Sequence, residues 1–182
     1  MRKETAEMNP PGHDPLLLAG RILTLLMQGA LAIAGLGVCF AFAGVILLGE
    51  QIDVEMRAEF GPEVSDIPTA AVLALLALAL AVVVCVFVFF GKLRGIISTV
   101  AGGDPFVPEN ADRLTAMAWL MLAVYLLIGV ISAVATLVEE WAQQFDDIPV
   151  TGIFGFDLSS VLLIVTLFIL ARVFRQGAAM RE

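Results

Sequence analysis

The sequence predicts an all-α integral membrane protein: a four-transmembrane-helix bundle with both termini in the cytoplasm and amphipathic extensions beyond the bilayer. Three observations carry that prediction. The chain is 60% hydrophobic with a mean hydropathy of +0.96, whereas soluble domains are about 45–50% apolar. Its apolar residues fall into four long runs, and its cations cluster in alternate stretches between those runs. A length of 182 residues suits one domain and leaves nothing for a separate soluble module.

The first 21 residues read as a polar cytoplasmic tail containing Pro10, Pro11, Gly12 and a lone His13, with no signal-peptide cleavage pattern before the first apolar run. The transmembrane domain is expected over residues 22–171, with helices at about 22–48, 69–90, 114–137 and 156–171. A bilayer core about 30 Å thick takes about 20 helical residues to cross. The first three runs meet that length, and the fourth does so only if Ile153, Phe154 and Phe156 enter the membrane. Residues 172–182 read as a second cytoplasmic tail. Helices are required because a backbone in lipid satisfies its own hydrogen bonds, and the short alternating strands of a barrel do not occur.

Orientation follows from the cations. Arg2, Lys3 and Arg21 precede the first run; Lys92, Arg94 and Arg113 lie between the second and third; Arg172, Arg175 and Arg181 follow the fourth. Only Arg57 falls elsewhere. The positive-inside rule then puts the termini and the middle loop in the cytoplasm of a bacterial-type inner membrane, with the two acidic loops outside. The formal net charge of −8 is therefore segregated, and no strongly basic surface is offered to nucleic acid. Trp119 and Trp141 bracket the third helix as aromatic anchors do.

Helix packing has its own signal. Ala30, Ala34, Gly37, Ala41 and Gly44 recur at steps of four and three, as do Ala70, Ala74, Ala77, Ala81 and Cys85. Two small-residue stripes of this kind allow close backbone approach, so the first and second helices are expected to pack along them. The two halves also echo each other. Asp66-Ile67-Pro68-Thr69 resembles Asp147-Ile148-Pro149-Val150-Thr151, and each half ends in a cationic stretch with a glycine. A duplicated hairpin and the generic look of an external loop both account for this. The bulky fourth helix suits lipid or a second subunit.

No span contains Asp, Glu, Lys, Arg or His, which argues against proton-coupled transport. Gln28, Tyr125, Ser132, Thr136 and Thr166 read as interhelical hydrogen-bonding groups. Cys39 and Cys85 lie within apolar runs and have no metal-ligand spacing. Ser159 and Ser160 lack a base nearby in sequence, and the acidic loops lack a calcium-loop pattern. Neither a cofactor nor a metal is called for.

The middle loop is the most informative segment, reading Gly102-Gly103-Asp104-Pro105-Phe106-Val107-Pro108-Glu109-Asn110-Ala111-Asp112-Arg113-Leu114. Leu93, Ile96, Ile97 and Val100 suggest an amphipathic continuation of the second helix, which Gly102 and Gly103 can stop at positive φ. Pro108 and Glu109 suit a helix N-terminus. Phe106, held between prolines, reads as a preformed knob facing the cytoplasm. The candidate partner-binding set is Asp104, Pro105, Phe106, Pro108, Glu109, Asn110, Arg113, Arg172 and Arg175. Asp104, Glu109 and Asp112 are within reach of Arg172 or Arg175 if the helices pack together. Asp104, Glu109, Arg113, Arg172 and Arg175 are expected to meet as a charged brace under the Phe106 turn.

This loop from Gly103 to Leu114, together with the ending Leu170-Ala171-Arg172-Val173-Phe174-Arg175-Gln176-Gly177, resembles the bacterial membrane proteins called domain of unknown function 2975. The resemblance covers essentially the whole chain. It implies a four-helix membrane protein, often encoded beside a small helix-turn-helix regulator. Many relatives continue into an acidic tail, whereas this sequence stops at Glu182.

Two functions from different classes follow as expectations. One is a non-catalytic membrane regulator or scaffold that presents the middle loop and the C-terminal arginines to a soluble partner, which the resemblance suggests is the small DNA-binding regulator. The other is a small-molecule channel or transporter with a path lined by Tyr125, Ser132 and Thr136. Reporter fusions at residues 60 and 145 should give an external signal, and fusions near residue 105 and at the C-terminus a cytoplasmic one. A cytoplasmic signal at residue 60 would reverse the orientation.

Overall fold

Four α-helices make up the computed structural model, which describes residues 15–61, 67–143 and 158–180. They are α1 (Pro15–Phe60), α2 (Thr69–Ala101), α3 (Pro108–Ala142) and α4 (Leu158–Ala179). All four are long and apolar enough to cross a membrane, the pattern of a multi-pass membrane protein. The N-terminal tail with His13, most of the stretch before α4 including Asp147-Ile148-Pro149, and residues 156–157 lie outside the described residues.

Each helix contains one of the four apolar runs, and α1 and α4 continue well beyond theirs. α1 has 46 residues and so extends about 69 Å, roughly twice the bilayer core. It runs past residue 48 through Gln51–Phe60, where polar residues end the hydropathy signal without ending the helix. Gly61 then takes φ +101° and its N–H donates to the Arg57 carbonyl at 3.1 Å. Asp53 of this extension accepts a hydrogen bond from the Ile67 N–H at 3.2 Å, tying the end of α1 to the start of α2. α4 likewise continues past residue 171 for a further two turns, so Arg172 through Gly177 form a helix face rather than a tail.

Contacts between helices follow chain order: α1 with α2, α2 with α3, α3 with α4. Among the described residues no other pair of helices touches, so the chain forms an open row rather than a closed ring. Buried side chains concentrate where α3 meets α4. Leu114, Met117 and Ala118 pack against Leu167 and Ala171, with Phe89, Leu93 and Ile96 of α2 closing over the cluster.

The α1–α2 seam differs from the sequence expectation. Gly20, Thr24, Gln28, Leu31, Gly35 and Val38 are among the buried or half-buried positions of α1. A Cβ on Gly20 would meet Ile97 at 3.4 Å, and one on Gly35 would meet Val83 at 3.5 Å. Ala30, Ala34, Gly37 and Ala41 are exposed, and nothing lies within 4 Å of a Cβ on Gly37 or Gly44. Lipid cannot hydrogen-bond a carboxamide well, so turning Gln28 toward α2 turns the alanine stripe outward.

Gly35→Leu should therefore lower the melting temperature in detergent, since overpacking a seam costs about 1–3 kcal/mol. Gly37→Leu should leave it unchanged. Equal losses from the two substitutions would mean the outward stripe is also packed.

Candidate functional site: the α2–α3 turn and its clasp on α4

The site begins with the way α2 stops. Gly103 adopts φ +85°. Its N–H donates to the Val100 carbonyl at 3.0 Å, and the Asp104 N–H reaches back to the Thr99 carbonyl at 3.2 Å. This pair of bonds is the Schellman ending, in which a glycine in the left-handed region satisfies the last carbonyls of a helix. Gly102 stays helical at φ −77°, so only the second glycine of the pair is conformationally required.

α3 starts six residues further on, at Pro108, with Val107 as its N-cap and no side-chain cap. The polar side chain that organises this junction is Asn110, which is fully buried. Its Nδ2 donates to Thr99 Oγ1 at 2.7 Å and to the Pro105 carbonyl at 2.9 Å. Its Oδ1 accepts from Arg113 Nη1 at 2.8 Å, and the same nitrogen donates to the Gly95 carbonyl at 3.1 Å. One amide thus joins the end of α2, the turn and the first turns of α3. Gly95 permits this, because a Cβ there would lie 2.9 Å from Arg113 Nε.

The turn in turn clasps α4. The Phe106 ring sits 5.3 Å from the Phe174 ring, centroid to centroid. A Cβ on Gly177 would lie 2.8 Å from Phe106 Cδ1, so the missing side chain of Gly177 makes the seat for the ring. Phe106 remains 40% exposed. Beside it, Arg175 Nη2 pairs with Asp112 Oδ1 at 3.2 Å and lies 3.4 Å from Thr115 Oγ1. Both partners of the pair are well exposed, 63% and 77%, so it adds at most about 1 kcal/mol.

The predicted residues divide accordingly. Pro105, Phe106, Asn110, Arg113 and Arg175 come together with partners. Pro108 sits at the first position of α3, and Glu109 is exposed in its first turn. Arg172 is exposed on α4 and lines an open groove of about 400 Å³ with Thr115, Phe168, Ala171, Arg175 and Gln176. The five-residue charged brace does not take the expected form. Arg113 binds an amide and a backbone carbonyl, and the Arg175 ion pair uses Asp112. Among the described residues, Arg172 and Glu109 make no ion pair. Phe106 rests against α4 and keeps one side open. Thr99, Gly95, Phe174 and Gly177, absent from the predicted set, complete the arrangement. Chemically the site is made of hydrogen bonds and ring contacts that fix a shape.

Of the residues proposed to line a path, Ser132 and Thr136 donate to carbonyls of their own helix. Tyr125 lines a cavity of about 60 Å³ with Ser160, Met121 and Ile164, room for a water or two.

The sequence model of the family described as Protein of unknown function (DUF2975) matches residues 53–182. The chain belongs to this family. The DUF2975 match takes in the end of α1, all of α2 to α4, and every residue of the turn and its clasp. It is shorter than the whole-chain resemblance read from the motifs, because residues 1–52 fall outside it. No curated protein and no solved structure matches the chain.

Asn110→Ala should cost about 1–3 kcal/mol of stability, since it strips partners from part-buried polar groups of Thr99, Pro105 and Arg113. Gly177→Ala should also destabilise, and Phe106→Ala in the same chain should remove most of that penalty by vacating the seat. Additive effects of the two substitutions, measured by thermal unfolding in detergent, would mean Phe106 does not rest on Gly177.

Proposed function

We propose that this member of DUF2975 is a non-catalytic regulatory or scaffold protein of the bacterial inner membrane. Both termini lie in the cytoplasm, and the α2–α3 turn and the end of α4 form one composite surface for a soluble partner. The observation that supports this best is the seating of Phe106 on Phe174 and Gly177. Two stretches some 70 residues apart in the chain build a single fixed shape at the cation-rich end of the molecule. A rigid surface lowers the entropy cost of docking.

The partner-facing groups on this reading are the ones the fold does not consume: Glu109, Arg172, the open side of Phe106, and the Asp112–Arg175 pair at its rim. Mixed charges around a half-exposed aromatic suit a protein surface better than a nucleic-acid backbone, which would call for cations throughout. The partner class that fits the family resemblance is a small helix-turn-helix regulator, held at the membrane and away from DNA. Asn110, Arg113 and Gly177 shape the surface from beneath.

Arg172→Lys and Glu109→Gln should each weaken capture of the partner by tagged protein in native membranes, with no change in melting temperature. Arg presents a planar two-pronged donor that Lys does not reproduce, so the conservative change is informative. Recovery of the same partners at undiminished levels from both variants would remove the docking role from this surface.

A further inference from the structure

A cleft of about 350 Å³ lies between α1 and α2, lined by Arg21 and Gln28 on α1 and by Gly91, Arg94, Gly95 and Ser98 on α2. Its volume is within the range of small-ligand sites, which begins near about 300 Å³. It exists because two of its α2 positions are glycines. The helices run antiparallel here, with Gly20 beside Ile97 and Gln28 beside Phe87 and Gly91. The start of α1 and the end of α2 therefore share one rim, and both rim arginines are exposed.

We infer that this cleft holds the phosphodiester headgroup of an anionic glycerophospholipid. The charge comes first. Two guanidinium groups line the cleft; among the described residues no carboxylate lines it, and neither Arg21 nor Arg94 makes an ion pair or a side-chain hydrogen bond. Guanidinium binds phosphate oxygens through paired donors, and basic clefts between transmembrane helices hold anionic headgroups.

The depth of the cleft selects a lipid over a free anion. Gln28 lies seven residues, about 10 Å, along α1 from Arg21, toward the apolar span. Its Nε2 has one weak contact, 3.5 Å from the Phe87 carbonyl within α2. That is the outer limit of a hydrogen bond, so a carboxamide facing the apolar span keeps donor capacity to spare. A glycerophospholipid places ester carbonyls beneath its phosphate, at the level where this donor waits. Ile22, Leu25 and Leu26 are exposed on the same turns of α1 and offer acyl chains an apolar surface. Ser98 adds a hydroxyl at the rim. The inference needs the spanning helices but not the soluble partner proposed above.

The test uses the full chain in zwitterionic nanodiscs or detergent, with phosphatidylglycerol, phosphatidylcholine and inorganic phosphate as probes, read by thermal shift and by native mass spectrometry. Phosphatidylglycerol should be retained and raise the melting temperature well above the effect of phosphatidylcholine. Arg21→Gln and Arg94→Gln should each cut that preference by roughly fivefold, and the double variant should abolish it. Lys92→Gln, at an exposed lysine of α2 outside the cleft lining, should preserve it. Both cleft arginines are exposed, so unchanged melting in phosphatidylcholine alone will verify that the variants fold. An ether-linked phosphatidylglycerol, which lacks ester carbonyls, should bind the native chain more weakly than the ester form, and Gln28→Leu should erase that difference. Equal retention of anionic and zwitterionic lipid overturns the inference. So does an undiminished preference in the double variant. An equal shift from inorganic phosphate overturns the assignment to lipid.

Discussion

Asn110 sits at a point where the last turn of α2, the Pro105 carbonyl and the first turns of α3 all present polar groups that need partners. Its amide has two donors and an acceptor, and all of them are used. A buried amide left half-satisfied costs more than an apolar side chain of the same size. The junction therefore tolerates little variation: the Schellman glycine sets where Asp104 and Pro105 fall, Asn110 reads their position, and Arg113 is steered over Gly95 as a result. The Phe106 ring then emerges at the angle that meets Gly177. If Asn110 were displaced, the α3–α4 core above it would keep its apolar contacts but lose the alignment between the turn and α4.

The membrane setting gives this polar knot its weight. The spanning parts of the helices carry no charge and are mostly open to lipid, so packing between them is a matter of fit between small and large apolar groups. Specific direction has to come from hydrogen bonds at the helix ends. The α2–α3 turn supplies one such set, and Asp53 with the Ile67 N–H supplies another at the far end of α2. Each ties consecutive helices across a short connection, and neither ties helices that are distant in sequence.

Which parts of this were legible in the sequence depended on what kind of signal each element left. Hydropathy located all four helices, because twenty apolar residues in a row have few other uses. It gave no sign of the helix over Gln51–Phe60 or Arg172–Gly177, because a helix can stop being apolar before it stops being helical. The glycine ending of α2 and Pro108 at the start of α3 were readable because their backbone chemistry is local. The α1 seam was misread for the opposite reason. Ala30, Ala34, Gly37 and Ala41 have helical spacing, and so do Gly20, Thr24, Gln28 and Gly35. Small size alone cannot choose between such stripes, but a carboxamide and a hydroxyl on the second could have. Phe106 could be read as a preformed knob but its seat could not, because Gly177 lies beneath the ring only when α4 continues as helix. The orphan-looking charges misled in the same way: opposite signs near one another in topology do not specify which carboxylate an arginine selects.

The serial order of helix contacts has a consequence for how such a chain is made. Among the described residues every interhelical contact joins neighbours in sequence, so each helix after α1 finds a partner already made when it leaves the ribosome. Loop-closure entropy is met in separate instalments, one at each connection. The biosynthetic path is then a zipper running from α1 to α4, and its last step is the arrival of Gly177 beneath a Phe106 ring that has been standing ready since α3 was completed.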